Sequence, residues 1–410
     1  MKILYVLNIF NPSAGGAIGV VVDEMLAMVR EGHQVSLFTG SQSKPEESRT
    51  YDWKGISITE VPIRKVSWVL KSYVGLRNRR IEKLFSTYVA EFRPDVILLH
   101  NLYFHFPFSL IKRARAQCNK VFFTAHDAMS ISPRKLFHFV SDSTGFVDPQ
   151  KYYLSLYEEW RQNGKAFNPF RRFAVRYYLR YATTIFAVSK ELSLALTVNH
   201  IQGSVVLYNP VDSQAFVPNK AVSQTIRSTY GLEKNKVVLT AGRLSVMKGG
   251  IAVIHILHEL LRFVPEAILM VLSDVEHIDM MKNEARKLGC EKSLCTIASV
   301  PRHEIAAYYA ASDVVILPSL CLETFGMVTA EAMACEKPVV VTSFGGSREM
   351  VEVGVNGYID NPLHFNMFAE DIARTLTDKG LEMGKHSRNI VLKRFDQALH
   401  MRQLLAHYSA

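Results

Sequence analysis

Short β-rich apolar runs alternate with helical stretches along the whole chain, and this alternation constrains the fold more than any other feature. The first series is KILYVLNIF (2–10), HQVSLFT (33–39), ISITEVPI (56–63), DVILLH (95–100), KVFFTAHD (120–127), TTIFAVS (183–189) and SVVLYNP (204–210). Helical stretches lie between most of these runs, such as 18–31, 69–92 and 190–199. Near-continuous apolar strands covered by helices predict a parallel sheet buried on both faces. The pattern restarts with KVVLTAGRL (236–244), EAILMVLS (266–273), LCTIAS (294–299), DVVILPS (313–319) and KPVVVTS (337–343). Two such series predict α/β architecture in two Rossmann-like, doubly wound domains. The boundary is expected in the loop after Pro210, which gives domains at 1–210 and 211–390. A last helix over about 380–406 has no strand after it. It either caps the second domain or crosses back, so 391–410 is a candidate to complete the first. Residues 128–168 break the rhythm and read as a long insertion rich in aromatic and basic side chains.

A length of 410 residues fits two domains, or three. An apolar share of 48% excludes a largely disordered chain. No run approaches the roughly 18 apolar residues of a membrane-spanning helix. The opening apolar stretch is brief and contains Asn8, so it reads as a buried strand rather than a signal peptide. The five cysteines are odd in number and form no C-x-x-C, which points to a reducing cytoplasm and away from a disulfide framework. Charge is unevenly placed. Residues 1–210 hold 27 basic and 16 acidic side chains, whereas 211–410 hold 21 and 22. An excess confined to one half implies an anionic partner there: a membrane surface, a nucleic acid or an anionic ligand.

The segment LETFGMVTAEAMACEKPVVVTSFGGSREMV (322–351) carries the strongest chemical signal. A buried strand ends near Ser319, a loop carries Glu323, Thr324, Phe325 and Gly326, and a helix begins near Met327 with Glu331 in its second turn. In an open parallel sheet, ligands bind beyond the carboxyl ends of the strands. Free N–H groups at the helix start suit a phosphate or sugar, and ionised carboxylates accept hydrogen bonds from neighbouring hydroxyls. The competing assignment makes Glu323 a helix cap and Glu331 a solvated side chain. Arg243 and Lys248 follow another strand, with Gly249-Gly250 expected to open a helix. An Arg fork and a Lys point charge can neutralise a leaving diphosphate. His126 ends an apolar strand, and Asp127 follows it. Gly15-Gly16 ends the first strand, where glycine lets backbone approach a phosphate.

Taken together, these pieces resemble the retaining glycosyltransferases of the group 1 type, carbohydrate-active family 4. Glu323 and Glu331 form E-x7-E, followed by EAMACEKPVVVT, a GG pair and an acidic residue. AGRLSVMKGG (241–250) resembles the G-R-L-x-x-x-K-G segment, and YNPVDSQAF (208–216) the N-G-V-D-x-x-x-F turn. AVSKE (187–191), His126-Asp127 and the Gly15-Gly16 loop also match. Three departures stand out: Glu336 replaces a usual Gly, Pro210 replaces the Gly after Asn209, and VLSDVE (271–276) lacks a G-x-G.

The resemblance implies a GT-B fold, with two Rossmann-like domains facing across a cleft. It implies glycosyl transfer with retention, from a nucleotide-sugar to a hydroxyl acceptor, in cell-surface polysaccharide or glycolipid assembly. The N-terminal domain would take the acceptor, a sugar or lipid-linked saccharide, and the C-terminal domain the donor. Glu323, His126, Arg243 and Lys248 would be the catalytic set. Gly15, Gly16, Asn209, Phe325, Gly326, Met327, Val328 and Glu331 would bind the donor, and Asp127 the acceptor. No D-x-D occurs and the histidines show no ligand spacing, so neither a metal nor another cofactor is expected. A sugar-nucleotide epimerase and a non-catalytic partner are the alternatives on the same fold. A dinucleotide dehydrogenase fits worse, because no G-x-G-x-x-G follows the first strand.

The stretch 63–85 mixes seven basic residues with Trp68, Tyr73 and Phe85, a composition that suits an interfacial helix on anionic lipid. Arg161, Lys165, Arg171, Arg172, Arg176 and Arg180 form a second basic group. No nucleic-acid motif accompanies the charge. The expected location is the cytoplasm, with peripheral attachment to the membrane face.

Overall fold

The computed structural model describes residues 1–13, 15–41, 47–64, 66–133, 152–377 and 379–409. Residues 134–151 of the expected insertion, Lys65 and the side chain of Trp68 lie outside this set. The described residues divide into two compact units, the second taking in Asn209–His400 and the first the described residues before Asn209 together with those from Met401 onward.

The first unit is built on eight strands: β1 (Lys2–Ile9), β2 (Gln34–Ser41), β3 (Arg49–Trp53), β4 (Ile56–Pro62), β5 (Val96–His100), β6 (Val121–Ala125), β7 (Thr184–Ala187) and β8 (Ser204–Val206). Their order is β3-β4-β2-β1-β5-β6-β7-β8. Among the described residues, only the pairing of β3 with β4 is antiparallel. β5 and β6 are buried at every position because helices cover both faces of the sheet. The core gathers Ile3, Tyr5, Leu98 and Phe122 from the strands, Val21 and Met25 from the helix Gly16–Arg30, and Leu404 and Tyr408 from the C-terminal helix.

The second unit holds six parallel strands: β9 (Lys236–Ala241), β10 (Ala267–Ser273), β11 (Leu294–Ala298), β12 (Val314–Leu317), β13 (Val339–Thr342) and β14 (Gly357–Asp360). Their order is β11-β10-β9-β12-β13-β14. β12 and β13 are fully buried, as their valine, isoleucine and leucine text, closed in β13 by Thr342, requires.

Three expectations are corrected. The helix read over 69–92 is two elements. A 3-10 turn (Trp68–Leu70) and a short helix (Lys71–Val74) stop at Gly75, and a new helix runs Arg79–Phe92 with Asn78 as its cap, its side chain accepting from Ile81 N at 3.3 Å. The single interfacial helix over 63–85 is therefore absent, and Phe85 is fully buried, packed edge-on against Phe38. The terminal helix also divides, into Lys379–Arg394 and Gln397–Ser409. Gly249-Gly250 does not open a helix directly; it follows a 3-10 turn (Val246–Lys248), and the helix runs Ala252–Leu260.

Candidate active site

Where strand order reverses in an open parallel sheet, the loops splay apart beyond the carboxyl ends of the strands. The reversals fall between β1 and β5 in the first unit and between β9 and β12 in the second. Each set of candidate residues leaves a strand at or beside one of these points.

In the second unit, β9 ends and Gly242 turns at φ +114°, a conformation that favours glycine. Arg243 follows, exposed, with no hydrogen-bond or ion-pair partner for its guanidinium among the described residues. The buried Ser273, which ends β10 and stands in the segment that lacks G-x-G, accepts from Leu244 N at 3.2 Å and ties this loop to the sheet. A Cβ on Gly249 would sit 2.0 Å from the carbonyl oxygen of Pro318, so only glycine lets this turn reach the end of β12. That approach brings Lys248 to Glu323, Nζ donating to Oε2 at 2.8 Å. Ser319 Oγ donates to the same carboxylate oxygen at 2.9 Å. Burial is the largest single influence on the Lys248 ammonium and works against it, but the charge and hydrogen bond of Glu323, together with Cys321, outweigh it and its pKa ends above the ordinary lysine value. Cys321 beside this pair has its thiol pushed up to about 12, chiefly by burial, which leaves it a poor nucleophile.

The backbone of Glu323 is clamped as firmly as its side chain. Glu323 N donates to Phe344 O at 3.1 Å and Gly346 N to Glu323 O at 2.6 Å. Gly345 lies between them at φ +101°, where a Cβ would fall 2.2 Å from Glu323 O. The GG pair of the sequence motif is thus the clamp that holds the glutamate. Glu323 is therefore no helix cap: Gly326 occupies that position at φ +92°, without a side-chain cap. The helix Met327–Ala334 begins there, and the N–H groups of Gly326, Met327 and Val328 bond to no acceptor among the described residues. Phe325 is buried, its ring set edge-on to Phe395, so only its backbone is offered to a ligand. Glu331 is buried rather than solvated, and Tyr309 donates to its Oε2 at 2.9 Å. Asn209 is buried at the start of this unit.

In the first unit, His126 follows β6 and is buried. Its Nε2 lies 2.9 Å from Nδ1 of His100, the last residue of β5, and the two rings stack. His100 also stacks on Tyr5 of β1, and its Nε2 is 4.0 Å from the buried carboxylate of Glu24. Asp127 accepts from Met129 N at 2.9 Å and caps a short 3-10 turn. Gly15 and Gly16 are exposed, and a Cβ on either would meet open space. Gly16 has φ +63°, so its conformation rather than crowding favours glycine. Among the described residues, no group of three or more His, Cys, Asp or Glu side chains is placed to hold a metal ion.

Sequence reasoning missed Ser319, Tyr309 and Glu24. Ser319 follows an apolar strand and Tyr309 stands in alanine-rich text, neither with a local signal, and Glu24 sits mid-helix in mostly apolar text, where only its burial singles it out.

Comparison with known proteins bears on both units. A family model described as "Glycosyl transferases group 1" matches residues 222–391, and one described as "Glycosyltransferase Family 4" matches 14–215. The putative glycosyltransferase YtcC of Bacillus subtilis is 32% identical over 45% of this chain and 48% of its own length. The chain thus spans about half the length of several curated relatives that it matches. An uncharacterized glycosyltransferase of Methanocaldococcus jannaschii, MJ1607, is 25% identical over 93% of this chain and 90% of its own. Among solved structures, Anabaena Alr3699/HepE in complex with UDP and glucose superimposes with a TM-score of 0.73, 21% identity and full coverage of both chains.

Proposed function

We propose that this chain, which belongs to the group 1 glycosyltransferases and has the GT-B fold, moves a glycosyl group from a nucleotide-sugar to a hydroxyl acceptor. One observation carries the reading: Lys248, Glu323 and Ser319 converge beside a helix start whose N–H groups have no acceptor among the described residues. Breaking a sugar–phosphate bond puts negative charge on the leaving oxygen. Cations fixed in advance stabilise that charge without reorganising during the reaction. Lys248 is such a cation, held by Glu323, and Arg243 is a second one left exposed. The N–H groups of Gly326, Met327 and Val328 add partial positive charge at the helix start. Glu323 accepts hydrogen bonds from the donor sugar's hydroxyls, and Glu331 from the ribose diol. The complex of Anabaena Alr3699/HepE with UDP and glucose supports a nucleotide-sugar of this kind.

No nucleophile stands at the end of β12. Cys321 is held protonated, and Glu323 is engaged by Lys248 and Ser319. Front-face attack by the acceptor, with the departing phosphate taking its proton, accounts for transfer with retention and asks for no covalent intermediate. The reaction requires no metal in this reading, since Lys248 and Arg243 supply the positive charge. The acceptor is assigned to the first unit, where Asp127 stands among the polar groups at the strand ends.

A panel of UDP-, GDP- and dTDP-sugars tests the reading, with release of the nucleoside diphosphate as readout and excess EDTA as a parallel arm. Turnover of one donor with EDTA present is expected. No binding or hydrolysis of any donor refutes the donor site, and loss restored only by Mg2+ or Mn2+ refutes metal independence. The anomeric proton signal of the product, followed by NMR, decides between retention and inversion.

A further inference from the structure

Two stretches of the first unit contain no acidic residue at all, 61–81 and 160–190. They are distant in sequence but joined in the fold. Ser72 Oγ donates to the carbonyl of Ala166 at 2.6 Å, and Asn168 Nδ2 donates to the carbonyl of Ser72 at 3.3 Å. Arg172 then ties the helix Arg171–Leu179 to the helix Leu156–Asn163 through Glu159 at 3.2 Å.

The outward faces of these elements are aromatic. Phe170, Phe173, Tyr177 and Arg180 are exposed at spacings of three and four, which places them on one helix stripe. Tyr157, Trp160 and Arg161 are exposed on the neighbouring helix. Phe170 is 73% exposed, Tyr157 65% and Phe173 57%, values that core packing does not explain. Of nine exposed aromatic side chains among the described residues, seven are Tyr73 or lie between 153 and 177. Such concentration marks an interaction surface, since scattered exposed apolar residues are ordinary. Arg176 and Arg180 also border a cavity of about 410 Å3, roomy enough for a phosphate headgroup.

We infer that this joined face docks on an anionic lipid bilayer. The basic residues meet headgroup phosphates, and Tyr and Trp rings sit at the headgroup level. Phe170, Phe173, Leu70 and Leu156 enter the acyl boundary. Single-stranded nucleic acid would also use cations and aromatic rings, but it stacks on ring faces and has no use for exposed leucines. The footprint differs from a lone helix at 63–85, because that stretch contributes only its 68–74 portion beside residues 156–180. The inference stands apart from the transfer reaction and needs no donor.

The test is co-sedimentation of the full chain with phosphatidylcholine vesicles, with and without phosphatidylglycerol, at low salt and without donor. The wild type is expected to pellet with the anionic vesicles alone and to be released as salt rises. Each basic residue near such a surface contributes about fivefold in affinity. Arg161→Glu/Lys165→Glu/Arg180→Glu should therefore weaken binding by about 100-fold or more. Trp160→Ser/Phe170→Ser/Phe173→Ser should weaken it too, whereas Lys234→Glu/Lys236→Glu in the second unit should not. All the replaced side chains on this face are exposed, so melting temperature and nucleoside diphosphate binding should stay at wild-type values. Failure of the wild type to pellet, wild-type binding by both surface variants, or tighter binding of a poly-U oligonucleotide than of vesicles would overturn the proposal. Loss of nucleoside diphosphate binding in the wild type would strike the transfer reading instead.

Discussion

The two units place their charge differently. In the second, basic and acidic residues nearly balance, yet a lysine and a glutamate are drawn together at the strand ends. In the first, the basic excess is large, yet the strand ends carry a stacked histidine pair and the excess includes an outer aromatic face. Net charge therefore says little about the chemistry of a unit's site. What builds the second site is close backbone approach at Gly249 and Gly345, which a charge count cannot register.

The comparison breaks most readily at Lys248. Lys248→Ala removes the cation assigned to the leaving diphosphate and leaves Glu323 partly buried without its partner. Turnover should fall about 100-fold or more, and the melting temperature should fall with it. Arg243→Ala should cost comparable activity at an unchanged melting temperature, because the exposed guanidinium supports nothing else. Steady-state release of the nucleoside diphosphate and thermal unfolding of both variants check this split. The Lys248 pair also has a pH signature. Its folded pKa is raised, so its stabilisation is present at neutral pH and fades only as pH climbs past the ordinary 10.5. The stability gap to Lys248→Met should therefore hold from neutral pH and close above that value.

Gly345→Ala tests the backbone clamp alone. At φ +101°, with a Cβ 2.2 Å from Glu323 O, alanine forces the loop to move. A loss of about 1–3 kcal/mol in urea unfolding is expected, with turnover lowered through a displaced Glu323. In the first unit, His100→Phe keeps a ring on Tyr5 but strands the buried Nε2 of His126. About 1–2 kcal/mol of stability should be lost, read by the same unfolding curves, while nucleoside diphosphate binding is retained.

The smallest effect is expected at Glu336, one of the departures from the family pattern. It follows the helix Met327–Ala334 at φ +57°, the left-handed position where a helix stop favours glycine. Glu336→Gly should raise stability by about 1 kcal/mol and leave turnover unchanged.

How much of this was legible follows physical lines. The long buried strands were, because a parallel sheet covered on both faces needs apolar text. β3 was not, since RTYDW is a short, largely exposed antiparallel edge whose only apolar text is Tyr51 and Trp53. β14 was missed because GYID is short and only partly buried. The break at Gly75–Asn78 hid inside text whose apolar spacing continues across it. Glu323 and Lys248 were visible singly, but their pairing joins loops 75 residues apart and leaves no trace in local sequence.

The central claim is that the ends of β9 and β12 hold the donor, with Glu323 near the sugar and Glu331 near the ribose. Titration of Glu323→Gln and Glu331→Gln with the nucleoside diphosphate alone tests it most directly. Neutralising Glu323 frees Lys248 for the diphosphate, so Glu323→Gln should bind at least as tightly as wild type while its kcat falls and its choice among donor sugars blurs. Glu331→Gln should bind more weakly and show mainly a raised KM. Weakened binding in Glu323→Gln together with wild-type binding in Glu331→Gln would contradict the account.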